Sequence, residues 1–136
     1  MEKNKSSLNY KDSTEKFLAK KNNNKNLPIG IAVTENDKII GFCTLRENRL
    51  LNRLNINPWL CNVMIFEEFR SKGCAKIMLN TAYKKFKDLG YNKIYVWTDQ
   101  APDFYKNLGL KYEGKVIKNE GGEGLLFLKK YNYIIF

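Results

Sequence analysis

The sequence contains no histidine. That absence removes Ser-His-Asp and Cys-His nucleophilic machinery, histidine general bases and the usual catalytic zinc sites, all of which need an imidazole. Any chemistry must therefore use carboxylates, tyrosine, lysine, cysteine, backbone dipoles or a bound cofactor. Acidic side chains are scarce as well: 14 Asp plus Glu stand against 24 Lys plus Arg, a formal net charge of +10. Such a field attracts anions, whether nucleic acid, phosphate esters or an anionic membrane, and its sign alone does not choose among them. Cysteine occurs three times, at Cys43, Cys61 and Cys74, with no CxxC spacing. An odd set without that spacing reads as reduced thiols, not a disulfide or zinc framework, and points to the cytoplasm. No apolar run approaches the ~20 residues of a membrane span, and the start from Met1 to Lys5 is polar, so neither an anchor nor a signal peptide is expected.

Apolar residues make up 43% and charged residues 28% of the 136, enough to bury a core and suited to one domain spanning residues 1–136. No repeat or domain boundary is visible. Residues 1–26 form a basic, Asn/Lys-rich segment in which Asp12, three residues before Glu15, starts a short helix through Phe17, Leu18 and Lys21. Residues 29–33 and 38–45 are β-rich runs around Glu35-Asn36-Asp37, a hairpin signal. Pro58 opens a strand over residues 59–66, where Val63, Ile65 and Phe66 suggest burial on both faces. A helix follows, with Ala75, Met78, Leu79, Ala82, Phe86 and Leu89 at three- and four-residue steps and Gly90 at its stop. Lys76, Lys84, Lys85 and Lys87 take its other face, which reads as solvated. A strand over residues 93–98 completes a βαβ unit, so its two strands should be parallel. A short helix over residues 101–108, stopped by Gly109, precedes two antiparallel strands, 111–117 and 124–130. The fold class is α+β: a mixed, mostly antiparallel sheet with a central parallel pair joined by a crossover helix.

The segment Arg70-Ser71-Lys72-Gly73-Cys74-Ala75 lies between a buried strand and the start of the amphipathic helix. A helix N-terminus presents unpaired N–H groups and about half a unit of positive charge, small residues let phosphate oxygens approach, and Arg70 and Lys72 add cationic donors. This loop suits a pyrophosphate; the competing reading is a tight turn at Gly73 with solvated cations. Other phosphate motifs do worse. The dinucleotide fingerprint needs three spaced glycines, and Gly109 to Gly114-Lys115 has Walker A spacing but Val116 in place of Ser/Thr.

Arg70-x-x-Gly73-x-Ala75 after a strand, the helix to Gly90, and then the stretch from Asp99 through Pro102 and Tyr105 to Gly109-Leu110 together resemble the GNAT superfamily of N-acetyltransferases. The first motif is similar to the family's R/Q-x-x-G-x-G/A acyl-CoA loop, and the second to its N-x-x-A-x-x-x-Y-like segment. Pro58-Trp59-Leu60 recurs in a bacterial branch. The resemblance covers roughly residues 28–130. It implies a GNAT-like fold in which backbone N–H groups from Arg70 through Ser71, Lys72, Gly73 and Cys74 to Ala75 hold the pyrophosphate of coenzyme A. It further implies that Val63 and Ile65 pair through their backbones with the pantetheine arm, that Tyr105 faces the thioester sulfur, and that Asp99 stands where the family has an Asn touching the same arm.

An amine attacking a thioester must lose a proton, and something must meet the departing thiolate. Asp99 is a candidate base, with Glu67 and Glu68 poorer ones on the phosphate side; the alternative for Asp99 is an N-cap of the helix beginning near Ala101. Tyr105 can donate to the thiolate or pack as a core aromatic. Of the adjacent Phe104 and Tyr105, one should point inward, and Phe104 is expected to. Cys74 at a helix N-terminus reads as packing more readily than as a reactive thiol. The family also has a first strand and two helices ahead of the hairpin near Ile29, whereas this chain leaves room for about one short helix. The shortened N-terminus leaves the first hairpin strand as a sheet edge, which favours pairing with a second copy.

The reading is an acetyl-CoA-dependent N-acetyltransferase acting directly on a primary amine of a small molecule or peptide, with no membrane or nucleic-acid partner. Its basic charge suits strongly cationic acceptors poorly. The rival readings are an acyl-CoA-binding regulatory module of the same fold and a small basic nucleic-acid binder, which lacks a recognition motif.

Overall fold

The computed structural model describes residues 27–70 and 73–131. The helix expected from Asp12 lies outside them, as do Ser71 and Lys72. Strands β1 (Ile29–Glu35) and β2 (Lys38–Arg46) pair antiparallel around Asn36 and Asp37. Both turn residues have positive φ, 52° and 65°, the conformation a two-residue hairpin loop needs and one that Asn and Asp tolerate. Strand β3 (Trp59–Ile65) pairs antiparallel with β2, helix α1 (Cys74–Asp88) crosses over, and β4 (Lys93–Thr98) returns parallel to β3. Helix α2 (Pro102–Asn107) and the antiparallel strands β5 (Lys111–Ile117) and β6 (Glu123–Lys130) follow. The sheet order is β1-β2-β3-β4-β6-β5, and among the described residues β3 and β4 are the sole parallel neighbours. The architecture is the mixed sheet that the sequence pattern implies. No helix among the described residues is long and apolar enough to cross a membrane.

The expectation that residues 59–66 bury both faces holds for Trp59, Leu60 and Cys61 and fails beyond them, and the cause is one residue. Phe42 pairs with Met64 and Thr44 with Cys61, so two β3 residues, Asn62 and Val63, stand opposite one β2 residue. Asn62 has φ 52°, which marks a β-bulge. The bulge switches which positions face inward. Before it, Leu60 faces the core beneath α1; after it, Val63 and Ile65 do, while Asn62, Met64 and Phe66 are exposed. The strand itself ends at Ile65.

Helix α1 covers one sheet face with Cys74, Met78, Leu79, Ala82 and Phe86, packed on Ile31, Ile40, Leu45, Ile94, Val96 and Phe127. Its N-terminal turn comes close because β2 carries Gly41. A Cβ there would lie 3.0 Å from the Met64 carbonyl oxygen, 3.1 Å from Met78 Cε and 3.2 Å from Cys74 Sγ. Lys85 and Lys87 in the last turn of α1 suit its negative end, and Gly90 at φ 99° supplies the left-handed stop. The opposite face has no helix among the described residues. There the connection of residues 47–58 folds Leu50 and Ile56 onto Trp59, Cys61, Val116 and Leu126, with Tyr95 and Trp97 alongside. Trp59 Nε1 donates to the Ile56 carbonyl at 2.8 Å, so the buried indole is satisfied within its own loop.

Candidate active site

A cleft of about 590 Å³ opens where β3 and β4 part. The two strands share a single register pair, Trp59 with Tyr95, and beyond it β3 bends away at its bulge. Val63 and Ile65 from β3, Arg70, Gly73 and Ala75 from the loop and first turn of α1, and Tyr105 from α2 all line this one cavity. Lys76 and Phe104 line it as well.

At one end stands the N-terminus of α1. Gly73 is its N-cap with φ 88°; it offers no side-chain cap, and no acidic residue occupies the first turn. The Ile77 N–H begins the intrahelical ladder at the Gly73 carbonyl, which leaves the amides before it directed out of the helix end. Gly73 is needed for its backbone angle and not for space, because a Cβ there meets nothing within 4 Å. Arg70 Nε donates to the Ile65 carbonyl at 2.9 Å, tying the loop back to the end of β3. Cys74, by contrast, turns inward and is 1% exposed. Burial, with Glu35 adding to it, pushes its thiol up to about 11, so it remains protonated and packs.

At the other end stands Tyr105. The expected orientation of the aromatic pair is reversed: Tyr105 is 8% exposed and Phe104 37%. The reason is helical phase. Ala101, Tyr105 and Leu108 share one face of α2, and Phe104 lies about 100° round from Tyr105. The Tyr105 ring packs at 6.2 Å on Phe127 and meets Phe104 edge-on at 5.0 Å. Its hydroxyl makes no hydrogen bond to any described residue. Burial pushes that hydroxyl up to about 12, with Arg49 pulling it down and Cys43 and Cys61 adding to the rise. Tyr105 is therefore a neutral donor at physiological pH.

Asp99 is not brought to the cleft. Lys118 Nζ holds both of its carboxylate oxygens, at 3.0 and 3.2 Å. It does not cap α2 either; the Ala101 N–H donates to Thr98 Oγ1 at 3.1 Å instead. Glu67 and Glu68 sit in an exposed 3-10 turn, Glu67–Phe69, just ahead of the loop. The arrangement thus offers free amides and cations at one end of a largely apolar groove and an unspent hydroxyl donor at the other. That suits a long ligand with an anionic end and a reacting group at its far tip.

The sequence model of the acetyltransferase (GNAT) family matches residues 2–110. Among solved structures, the fold is similar to an aminoglycoside 6'-N-acetyltransferase complexed with coenzyme A, with a TM-score of 0.60 and 15% identity over 79% of this chain and 75% of that one. It is also similar to a Bacillus anthracis str. Ames protein, named as a candidate streptothricin acetyltransferase, in complex with acetyl coenzyme A. There the TM-score is 0.65 and the identity 18% over 81% of this chain and 66% of that one. An N-acetyltransferase from Staphylococcus aureus Mu50 matches with a TM-score of 0.61 and 18% identity over 76% and 67%. None of the curated proteins compared with the chain matches it.

Proposed function

The chain belongs to the acetyltransferase (GNAT) family, and from that premise we propose that it moves an acetyl group from acetyl-CoA directly to the primary amine of a small molecule or peptide, with no covalent acyl-enzyme. One observation carries the reading: a single groove joins the uncapped N-terminus of α1 to the Tyr105 hydroxyl, past Val63 and Ile65.

The residues fit coenzyme A. The first-turn amides of α1 and the half charge behind them hold the diphosphate, and Arg70 and Lys76 add cations at the rim. Val63 and Ile65, past the last β3–β4 pair, offer backbone groups on the β4 side to an extended amide-bearing arm. When bound, acetyl-CoA supplies the thioester carbonyl and the thiol leaving group. Tyr105 then serves as hydrogen-bond donor to the developing thiolate. With its hydroxyl pushed up to about 12, handing the proton to a thiol whose free value is about 8.5 is uphill by about 5 kcal/mol. The proton therefore stays on oxygen and stabilises sulfur by a hydrogen bond. Asp99, neutralised by Lys118, orders the turn between β4 and α2, and the acceptor enters as the free amine.

The three free cysteines are buried, which suits a reducing, cytoplasmic setting. Among the described residues strand β1 is an outer strand of the sheet, a feature that supports pairing with a second copy, and light scattering at micromolar concentration measures it. The activity is tested by thermal shift and thiol release. Acetyl-CoA at about 100 times its dissociation constant should stabilise the fold by about 2.7 kcal/mol, and an amine panel should then release free thiol. Binding without release with any amine identifies a regulatory module; no stabilisation removes the reading.

A further inference from the structure

Resting on that reading, we propose that Arg49 selects the acceptor, and that the acceptor is an amine carrying a carboxylate. Trp97 lies on β4 two residues beyond Tyr95, the last point where β4 touches β3. Its backbone thus borders the parting of the two strands, while its side chain lies on the sheet face opposite α1, packed against the cluster of Trp59 and Cys61 and outside the residues that line the cleft. The Arg49 guanidinium carbon sits 4.3 Å over the centroid of that indole.

The cation is held there by its backbone. The Arg49 carbonyl accepts from Asn119 Nδ2 at 2.9 Å, and Asn119 Oδ1 accepts from the Leu51 N–H at 2.9 Å. Asn52 Nδ2 donates to the Ile117 carbonyl at 3.1 Å, a second tie from the same loop to the end of β5. Gly124 makes room for the indole, since a Cβ there would lie 2.9 Å from Trp97 Cε3. This is a constructed platform and not a loose surface arginine.

Its charge is unspent. Among the described residues no carboxylate pairs with Arg49. The neighbouring cation over the same ring, Lys118 at 5.4 Å, is neutralised by Asp99. One free guanidinium, planar and with parallel donors, matches a singly charged carboxylate; a phosphate dianion needs more cation than the platform offers. The Arg49 charge also acts on the Tyr105 hydroxyl and on Cys61, which ties the platform to the reacting end of the cleft. An aminoglycoside, carrying several ammonium groups, meets repulsion at the same place.

The test compares primary amines differing only in a carboxylate: γ-aminobutyrate against its amide, and dipeptides with free against amidated C-termini. Kanamycin serves as the polycation. Stabilisation by acetyl-CoA is read first, then kcat/KM for thiol release. The wild-type protein should prefer the carboxylate member by about tenfold or more, the worth of one charge-assisted contact. Arg49→Gln should bring the ratio within each pair close to one, largely through KM, and Arg49→Lys should restore part of it. The wild-type ratio decides the matter even if a variant fails to fold. Equal or better use of the amides or of kanamycin, with acetyl-CoA binding intact, overturns this inference and leaves the acetyltransferase reading standing. No stabilisation by acetyl-CoA overturns both.

Discussion

Strand β4 treats its two neighbours differently. Toward β6 it pairs at six consecutive positions, Lys93 through Thr98, and toward β3 at one. The closed flank is built from strictly alternating strands, with Ile94 and Val96 facing the helical core and Tyr95 and Trp97 facing the other side. The open flank exists because β3 does not alternate: Asn62 shifts its phase and bends it away. Stability therefore concentrates along one edge of β4, and the proposed chemistry belongs to the other, so the two should respond to mutation in opposite ways.

The largest effect is expected on the closed flank. Phe127 is fully buried behind β4, and Phe127→Ala should cost about 3–5 kcal/mol of stability, read as a fall in the denaturation midpoint. An unchanged midpoint would remove the contrast between the flanks. On the open flank, Tyr105→Phe deletes a hydroxyl that bonds to no described residue, so the midpoint should stay within about 0.5 kcal/mol. Its kcat should nevertheless fall about 10²- to 10³-fold, the usual cost of losing one donor to developing charge. Unchanged turnover removes Tyr105 from the mechanism.

The pH profile sharpens the same point. The folded state holds the Tyr105 hydroxyl up at about 12, above its unfolded value near 10. A raised group adds stability below the unfolded value and loses it as pH climbs toward the folded one, so this contribution should fade between about pH 10 and 12. Turnover should accordingly show no alkaline limb from Tyr105 below about pH 11; a limb near pH 8 assigns the essential acid to another group. The smallest effect belongs to the hinge between the flanks. Asn62→Val places a β-branched residue at positive φ and should cost about 1–2 kcal/mol, together with weaker acetyl-CoA stabilisation in thermal shift. Asn62→Gly, free of that strain, should spare the binding.

Much of this was legible in the chain. The steps from Met78 to Phe86 set α1, the turn residues Asn36 and Asp37 set the first hairpin, and a lone Gly73 ahead of a helix marked the uncapped N-terminus that borders the cleft. The bulge was not legible, because a polar Asn62 inside an apolar run looks the same whether a strand alternates or slips, and only the backbone angle distinguishes them. The Phe104/Tyr105 reversal escaped for a related reason. Helix α2 has six residues, too few to display a period, and both candidates are aromatic. Arg49 escaped because a loop has no periodicity at all; its place depends on Asn119, 70 residues further on. The capping rule pointed to Asp99, but Lys118, distant in sequence, claims its carboxylate, and α2 starts without a side-chain cap.

Asn62 is the one residue by which β3 exceeds its β2 partner in length. With it excised, alternation would run unbroken from Leu60, and Val63 and Ile65 would still face α1 while the bend was lost. The strand would regain the regularity needed to run alongside β4, and the sheet would close over its own doorway. A single surplus residue thus separates a scaffold that can admit a guest from one that is merely well folded.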